Sequence, residues 1–163
     1  MGSIYICSSA IQAQSTERRW QRFLRNSRIK IRSLYIPLVM AAISNNKKNR
    51  IYLALDTTML WNQSCFILLS IVCGGRGIPF LWKALEHSSS TVAFREYKLI
   101  LRLAQKLLSK YDDVMILADR GFANHHLLHW LQTTNWHYCL RLPSDVHIGN
   151  GKSKGRQLKT LFP

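Results

Sequence analysis

Acidic side chains are what this 163-residue chain has least of. Eight Asp and Glu stand against 23 Lys and Arg, a formal net charge of +15. That balance favours a polyanionic partner, nucleic acid or an anionic membrane, over a basic surface that serves only solubility. Long apolar runs are also missing. The longest, Cys65 to Cys73 with Ser70 interrupting, is far too short to span a bilayer, so nucleic acid is the partner expected and a membrane is not. Cysteine is sparse and scattered at Cys7, Cys65, Cys73 and Cys139, with no CxxC pair. This argues against a disulfide framework and for reduced, mostly buried thiols in a cytosolic protein. The start, MGSIYICSSAIQAQ, has neither the early positive charge nor the apolar segment of a signal peptide. Ile6 occupies the place where myristoylation needs Ser or Thr. No internal repeat or low-complexity tract is visible. A hydrophobic content of 47% marks a globular chain, and its length suits one domain of ordinary size.

Charge is unevenly placed. Residues 1–50 hold ten Lys and Arg but a single acid, Glu17. Within them STERRWQRFLRNSR reads as a short basic helix, with Ser15 or Thr16 as N-cap. Arg18, Arg22 and Arg25 then share one face at i, i+4, i+7, and Trp20, Phe23 and Leu24 form an apolar side. Such a helix either contacts phosphates or merely packs on its own domain. SNNKKNR, residues 44–50, reads as a polar loop and boundary.

After that loop the pattern turns regular. IYLALD (51–56) and SCFILLSIVC (64–73) read as strands, GGRG (74–77) as a turn, and IPFLWKALEH (78–87) as a third strand. A long amphipathic helix follows, with the serines and Thr91 as N-caps. Its apolar face is Ala93, Tyr97, Ile100, Leu101, Ala104, Leu107, Leu108 and Tyr111. VMILAD is the fourth strand, Asn124 to about Thr133 a second helix, and WHYCLRL (136–142) the fifth strand. The tail from Pro143 reads as loops with one short strand. The order is β-β-β-α-β-α-β. A helix between strands three and four allows strand four to lie parallel to strand one.

Strands one and four both end on aspartate in this reading, Asp56 and Asp119. Parallel neighbours would carry both carboxylates to the same C-terminal edge, where α/β sheets place their sites. Two adjacent carboxylates repel, and a divalent cation relieves that cost. Hard oxygen ligands suit Mg²⁺ or Mn²⁺. The plainer alternative makes each aspartate a cap or turn former, with Asp119 paired to Arg120.

YLALDTT, ADRGF and HWLQTTNWHYCLRLPSDVHI, on this order of elements, resemble the catalytic region of IS4-type insertion-sequence transposases. ERRWQRFLRNSRIKIRSLYIPL is similar to the family's basic segment before that region. The resemblance covers roughly residues 15 to 150. It implies an α/β fold with an RNase H-like mixed sheet, preceded by a short basic helical segment. It also implies metal-dependent (Mg²⁺ or Mn²⁺) phosphodiester hydrolysis and strand transfer on duplex DNA, at element ends and target. Asp56 and Asp119 would be the catalytic, metal-holding residues, with Arg120 supporting the acidic site and Gly121 allowing a sharp turn beside it. DNA contacts would come from Arg18, Arg22, Arg25, Lys47 and Lys48. The expected organisation is a basic segment over 1–49, an incomplete core over 50–145, and a tail or insertion start over 146–163. The expected location is prokaryotic, cytoplasmic and nucleoid-associated, and a homodimer of a full-length form is compatible with the resemblance.

The chain departs from the family at the third carboxylate, a glutamate far downstream. Glu17, Glu86 and Glu96 all precede Asp119, and the only later acid is Asp145. The expectation is therefore a fragment cut before the third acid and inactive alone. A non-catalytic DNA-binding remnant and a different RNase H-like nuclease are the alternatives. HHLLH sets His125 and His129 at zinc-ligand spacing, but no second cluster completes such a site, so a polar helix face is expected. The five tryptophans read mostly as core or strand residues. GGRGIP lacks the P-loop pattern.

Overall fold

The computed structural model describes residues 10–44, 50–61, 63–149 and 155–160. The chain divides into two compact units, residues 1–45 and 46–163.

The first unit contributes two helices, α1 (Ala10–Leu24) and α2 (Ile31–Ser44). Helix α1 begins at Ala10, so Ser15 and Thr16 lie inside the helix and are not its N-cap. The polar and basic residues from Gln12 onward have no helix breaker among them, and helical hydrogen bonding simply continues through the serine. Local pattern gives no sign of α2 in IRSLYIPLVMAAIS. Pro37 lies within it, and its all-round apolar character hides the helical period. Lys47 and Lys48, with most of the SNNKKNR loop, lie outside the described residues.

The second unit is a mixed α/β structure. Its strands are β1 (Arg50–Leu60), β2 (Ser64–Cys73), β3 (Arg76–Glu86), β4 (Asp113–Ala118) and β5 (His137–Leu140). They form one five-stranded sheet in the order β3-β2-β1-β4-β5. The β1–β2 and β2–β3 pairs are antiparallel hairpins, while β1–β4 and β4–β5 are parallel. Helices α3 (Phe94–Leu107) and α4 (His125–Thr133) make the two crossovers that parallel pairing requires. A separate ribbon, β6 (His147–Ile148) with β7 (Arg156–Gln157), replaces the single short tail strand expected. The GGRG turn is tighter than expected, because β3 already begins at Arg76. Gly74 and Gly75 both have positive φ, 57° and 76°, the backbone that a two-residue hairpin demands.

The sheet has one well-buried face. Ile51, Leu53 and Leu55 of β1, Cys65, Ile67, Leu69 and Ile71 of β2, and Val114 and Ile116 of β4 are all buried. Register places these residues opposite one another, as period-two alternation requires. Of the described cysteines only Cys65 is buried. Cys73 and Cys139 are exposed, contrary to the expectation of mostly buried thiols: Cys73 is the last residue of β2, at the turn, and Cys139 falls on the other phase of the sheet. Helix α3 lies over the buried face with Tyr97, Ile100, Leu101 and Ala104 inward. Two polar ties fix it there. Thr57 Oγ1 donates to the Ser90 carbonyl at 2.9 Å, and Lys83 Nζ reaches Glu96 Oε2 at 3.0 Å. No serine or threonine caps α3. Its N-cap is Ala93, with no side-chain hydrogen bond.

At the far end of β1 and β4, Arg50 Nε pairs with Asp113 Oδ2, on the first rung of the parallel ladder. The ion pair fixes the same register that the buried rows select.

Candidate active site

The carboxylates are placed by that register. The last paired rung of β1 and β4 is Leu55 with Ala118, so Asp56 and Asp119 are the next residues on neighbouring strands. Asp119 keeps extended backbone angles, φ −80° and ψ 169°, and so continues the line of β4. The same step on β5 follows Leu140, which pairs with Ala118. That residue is Arg141, whose N–H donates to the Ala118 carbonyl at 3.1 Å. On the other side Asp56 faces Leu68 of β2, which faces Trp82 of β3. One row therefore crosses the sheet: Trp82, Leu68, Asp56, Asp119, Arg141. It lies on the face opposite the buried one, because Asp56 alternates with buried Leu55.

Two details differ from expectation. Asp56 does not end its strand, since β1 runs on to Leu60 while paired with β2. The β-prone Thr57 and Thr58 help sustain the antiparallel ladder with β2 after the parallel one has stopped. The strand that does stop is β4. Beyond it Arg120–Phe122 forms a single 3-10 turn.

Both carboxylates are solvent-accessible. Asp56 Oδ1 accepts a 2.8 Å hydrogen bond from the Thr57 N–H. Asp119 Oδ1 lies 3.4 Å from Arg141 Nη1. The arginine that meets Asp119 is thus Arg141 across the parallel ladder, whereas Arg120, next in sequence, opens the 3-10 turn and is exposed. Gly121 is not held by the geometry assigned to it either. It has no positive φ, and a Cβ there would meet nothing within 4 Å. A side chain is tolerated at that position.

What anchors the turn is its phenylalanine. Phe122 is 3% exposed and meets Tyr97 of α3 edge-on, ring centroids 5.3 Å apart. Asn124 completes the anchor. Its Oδ1 accepts from the Leu127 N–H at 2.9 Å as N-cap of α4, and its Nδ2 donates to the Tyr97 hydroxyl at 2.8 Å. Burial pushes the Tyr97 phenol up from its ordinary value, against the opposing effect of the Asn124 hydrogen bond. The loop that follows Asp119 is thereby fastened to α3 and α4. Asn124 is legible in the sequence as a cap position, but its second bond depends on where α3 lies.

Asp56 and Asp119 supply two hard oxygen donors in adjacent positions. That donor chemistry suits a Mg²⁺-class cation, which binds through one or two carboxylates and keeps several waters. Among the described residues, no group of three or more His, Cys, Asp or Glu side chains is arranged to hold a metal. Asp145 is exposed in the turn before β6, and His125, His126 and His129 are exposed on α4. His125 and His126 lie with ring centroids 3.8 Å apart. Arg18, Arg22 and Arg25 are all exposed. No helix among the described residues is long and apolar enough to cross a membrane.

No family model matches the chain, and no curated protein does. Among solved structures, a crystal structure of Marinitoga piezophila Argonaute in complex with 5′-OH guide RNA and target DNA is similar at 14% identity and a TM-score of 0.36. The match covers 59% of this chain and 16% of the Argonaute chain.

Proposed function

We propose that this chain is part of an RNase H-like DNA transposase of the IS4 type, acting on phosphodiester bonds at insertion-sequence ends. The observation that carries the reading is the register that makes Asp56 and Asp119 neighbours on the face not used for the core. An RNase H-like assignment is supported by the sheet order, with an antiparallel hairpin edge followed by parallel strands and the first carboxylate on the central strand. The IS4-type assignment rests on the DTT and DRGF sequences around those two residues and the basic segment before them.

In this reading Asp56 and Asp119 hold Mg²⁺ or Mn²⁺, which when bound supplies Lewis-acid activation for phosphodiester hydrolysis. Thr57 orients Asp56 through its backbone N–H, and the Phe122–Tyr97–Asn124 anchor keeps the Asp119 loop in place. The Lys and Arg excess draws the polyanion to the site. No glutamate follows Asp119 within these 163 residues. Two carboxylates hold a single cation weakly, and a second one poorly. Cleavage by this chain alone is accordingly expected to be low.

The test is a nicking assay with Mn²⁺ on duplex DNA, wild type beside Asp119→Asn. Both proteins should bind DNA, binding should weaken steeply with salt, and neither should nick appreciably. Robust nicking that vanishes in Asp119→Asn would mean that an acid inside these residues replaces the missing glutamate. Failure of the wild type to bind DNA would refute the proposal. A non-catalytic DNA-binding remnant is the second reading. It is favoured by the lack of a third ligand near the pair among the described residues, and it predicts no loss of metal affinity in Asp119→Asn.

A further inference from the structure

Helix α3 buries one face on the sheet and turns the other to solvent, and the solvent face carries charge of one sign. Lys98, Arg102 and Lys106 follow one another at i, i+4 along the helix, and Lys110 continues the row in the turn beyond it. Arg102, Lys106 and Lys110 are exposed, and none of the three pairs with a carboxylate among the described residues. Lys98 is half-buried, with its ammonium over the Phe94 ring, 5.8 Å from the centroid. Arg95 flanks the row with its side chain 86% exposed. The single acid of α3, Glu96, is already engaged by Lys83 and Arg95, each at 3.0 Å. Such a surface works against its own helix. Cations spaced i, i+4 repel one another, whereas a solvated face usually sets Glu against Lys at that spacing. Arg95 also stands in the first turn, where positive charge opposes the helix dipole. Neither arrangement serves the fold, and a bound polyanion relieves both.

We propose that this basic row is a second nucleic-acid site, one that takes the phosphate backbone of a duplex segment other than the one addressed by Asp56 and Asp119. Helix α3 covers the buried face of the sheet, and the two aspartates lie on the opposite face. The row and the carboxylates therefore face away from each other, with sheet and helix between them, and one straight duplex cannot touch both. From Lys98 to Lys110 the row spans roughly 18 Å at about 1.5 Å per residue. Laid along one strand of a duplex, it passes about five phosphates at about 3.4 Å each. A line of cations suits a linear polyanion better than a membrane surface. A helix in a membrane interface needs a broad apolar face beside its cations. The apolar face of α3 is instead buried on the sheet, and Leu99, 70% exposed, is the large apolar side chain it leaves in water. The site needs neither the carboxylates nor a metal, so it goes beyond the proposed function.

The test loads the full chain on a bead-bound duplex and measures capture of a second, fluorescent duplex across a range of salt. Wild type should capture it, and so should Asp119→Asn. Replacing Arg102, Lys106 and Lys110 together by Gln, a good helix former, should weaken capture of the second duplex roughly tenfold or more. Its salt slope should fall by about 0.9 for each cation removed. Lys106→Gln alone should act in the same direction to a lesser degree, which keeps the test decisive should the triple variant fold poorly. Arg102→Lys keeps the charge and should keep capture. Equal capture by the triple variant overturns the second site, since bridging then comes from α1 or from paired copies of the chain. A wild type that holds the first duplex but never a second overturns it too, and leaves the proposed function standing. Binding to phosphatidylserine vesicles that the triple variant loses while its DNA capture is intact reassigns the row to a membrane surface and overturns the nucleic-acid site. A wild type that binds no DNA at all refutes the proposed function and the second site together.

Discussion

Asp119 and Arg141 stand one residue beyond the last paired rung of β4 and β5, and their side chains approach to 3.4 Å across the end of the parallel ladder. They are far apart in sequence, with all of α4 and β5 between them. The guanidinium therefore competes for the same carboxylate that a cation would use.

Replacing Arg141 by Gln should free Asp119 and tighten Mn²⁺ binding by up to about fivefold, measured by titration calorimetry or Mn²⁺ resonance. Both side chains are largely exposed, 81% and 52%, so stability should change by less than about 1 kcal/mol. Weaker Mn²⁺ binding in this variant would show that Arg141 supports the carboxylate instead of competing for it.

Asn124→Ala removes the α4 cap and leaves the Tyr97 hydroxyl without its donor. Removing a cap costs about 1 kcal/mol, and a stranded buried polar group about as much again or more. Urea unfolding should show a loss of about 2–3 kcal/mol. A change under about 0.5 kcal/mol, on a scale typical of exposed sites, would mean that the anchor is dispensable.

Acid sensitivity should centre on Glu96. Hydrogen bonds from Lys83 first and Arg95 second hold its carboxyl below the usual glutamate range. A depressed folded pKa means that this stabilisation is fully present above the unfolded value, about 4.3, and is lost as pH falls through the lower folded value. Lys83→Met should therefore move the acid-unfolding midpoint to higher pH, followed by circular dichroism. An unchanged midpoint would show that the Lys83–Glu96 tie does not hold α3 on the sheet.

Substituting Arg18, Arg22 and Arg25 together by Ala should reduce the salt dependence of duplex binding. The slope of log K against log salt should fall by about 0.9 for each phosphate no longer neutralised. An identical slope would place the phosphate-binding residues elsewhere and leave α1 as a packing helix.

The sequence by itself determined the elements whose periods are long and undisturbed. The apolar run SCFILLSIVC delimits β2 to the residue, and the helical spacing from Tyr97 to Leu108 marks the buried face of α3. Asp56 and Asp119 are also visible locally, because an apolar run that stops on a carboxylate stands out. Local signals failed where the deciding partner is remote. Thr57 and Thr58 are β-prone, but they do not by themselves mark Asp56 as mid-strand, because the pairing that carries β1 to Leu60 is supplied by β2. Nothing near Arg120 tells that Asp119 meets Arg141, because only the parallel β4–β5 register brings that guanidinium into range. The roles of Phe122 and Asn124 likewise depend on where α3 lies. Which residues can bear charge or apolar bulk is a property of the chain. Which of them meet is decided by strand register, since a one-residue shift would turn every side chain of the row to the opposite face.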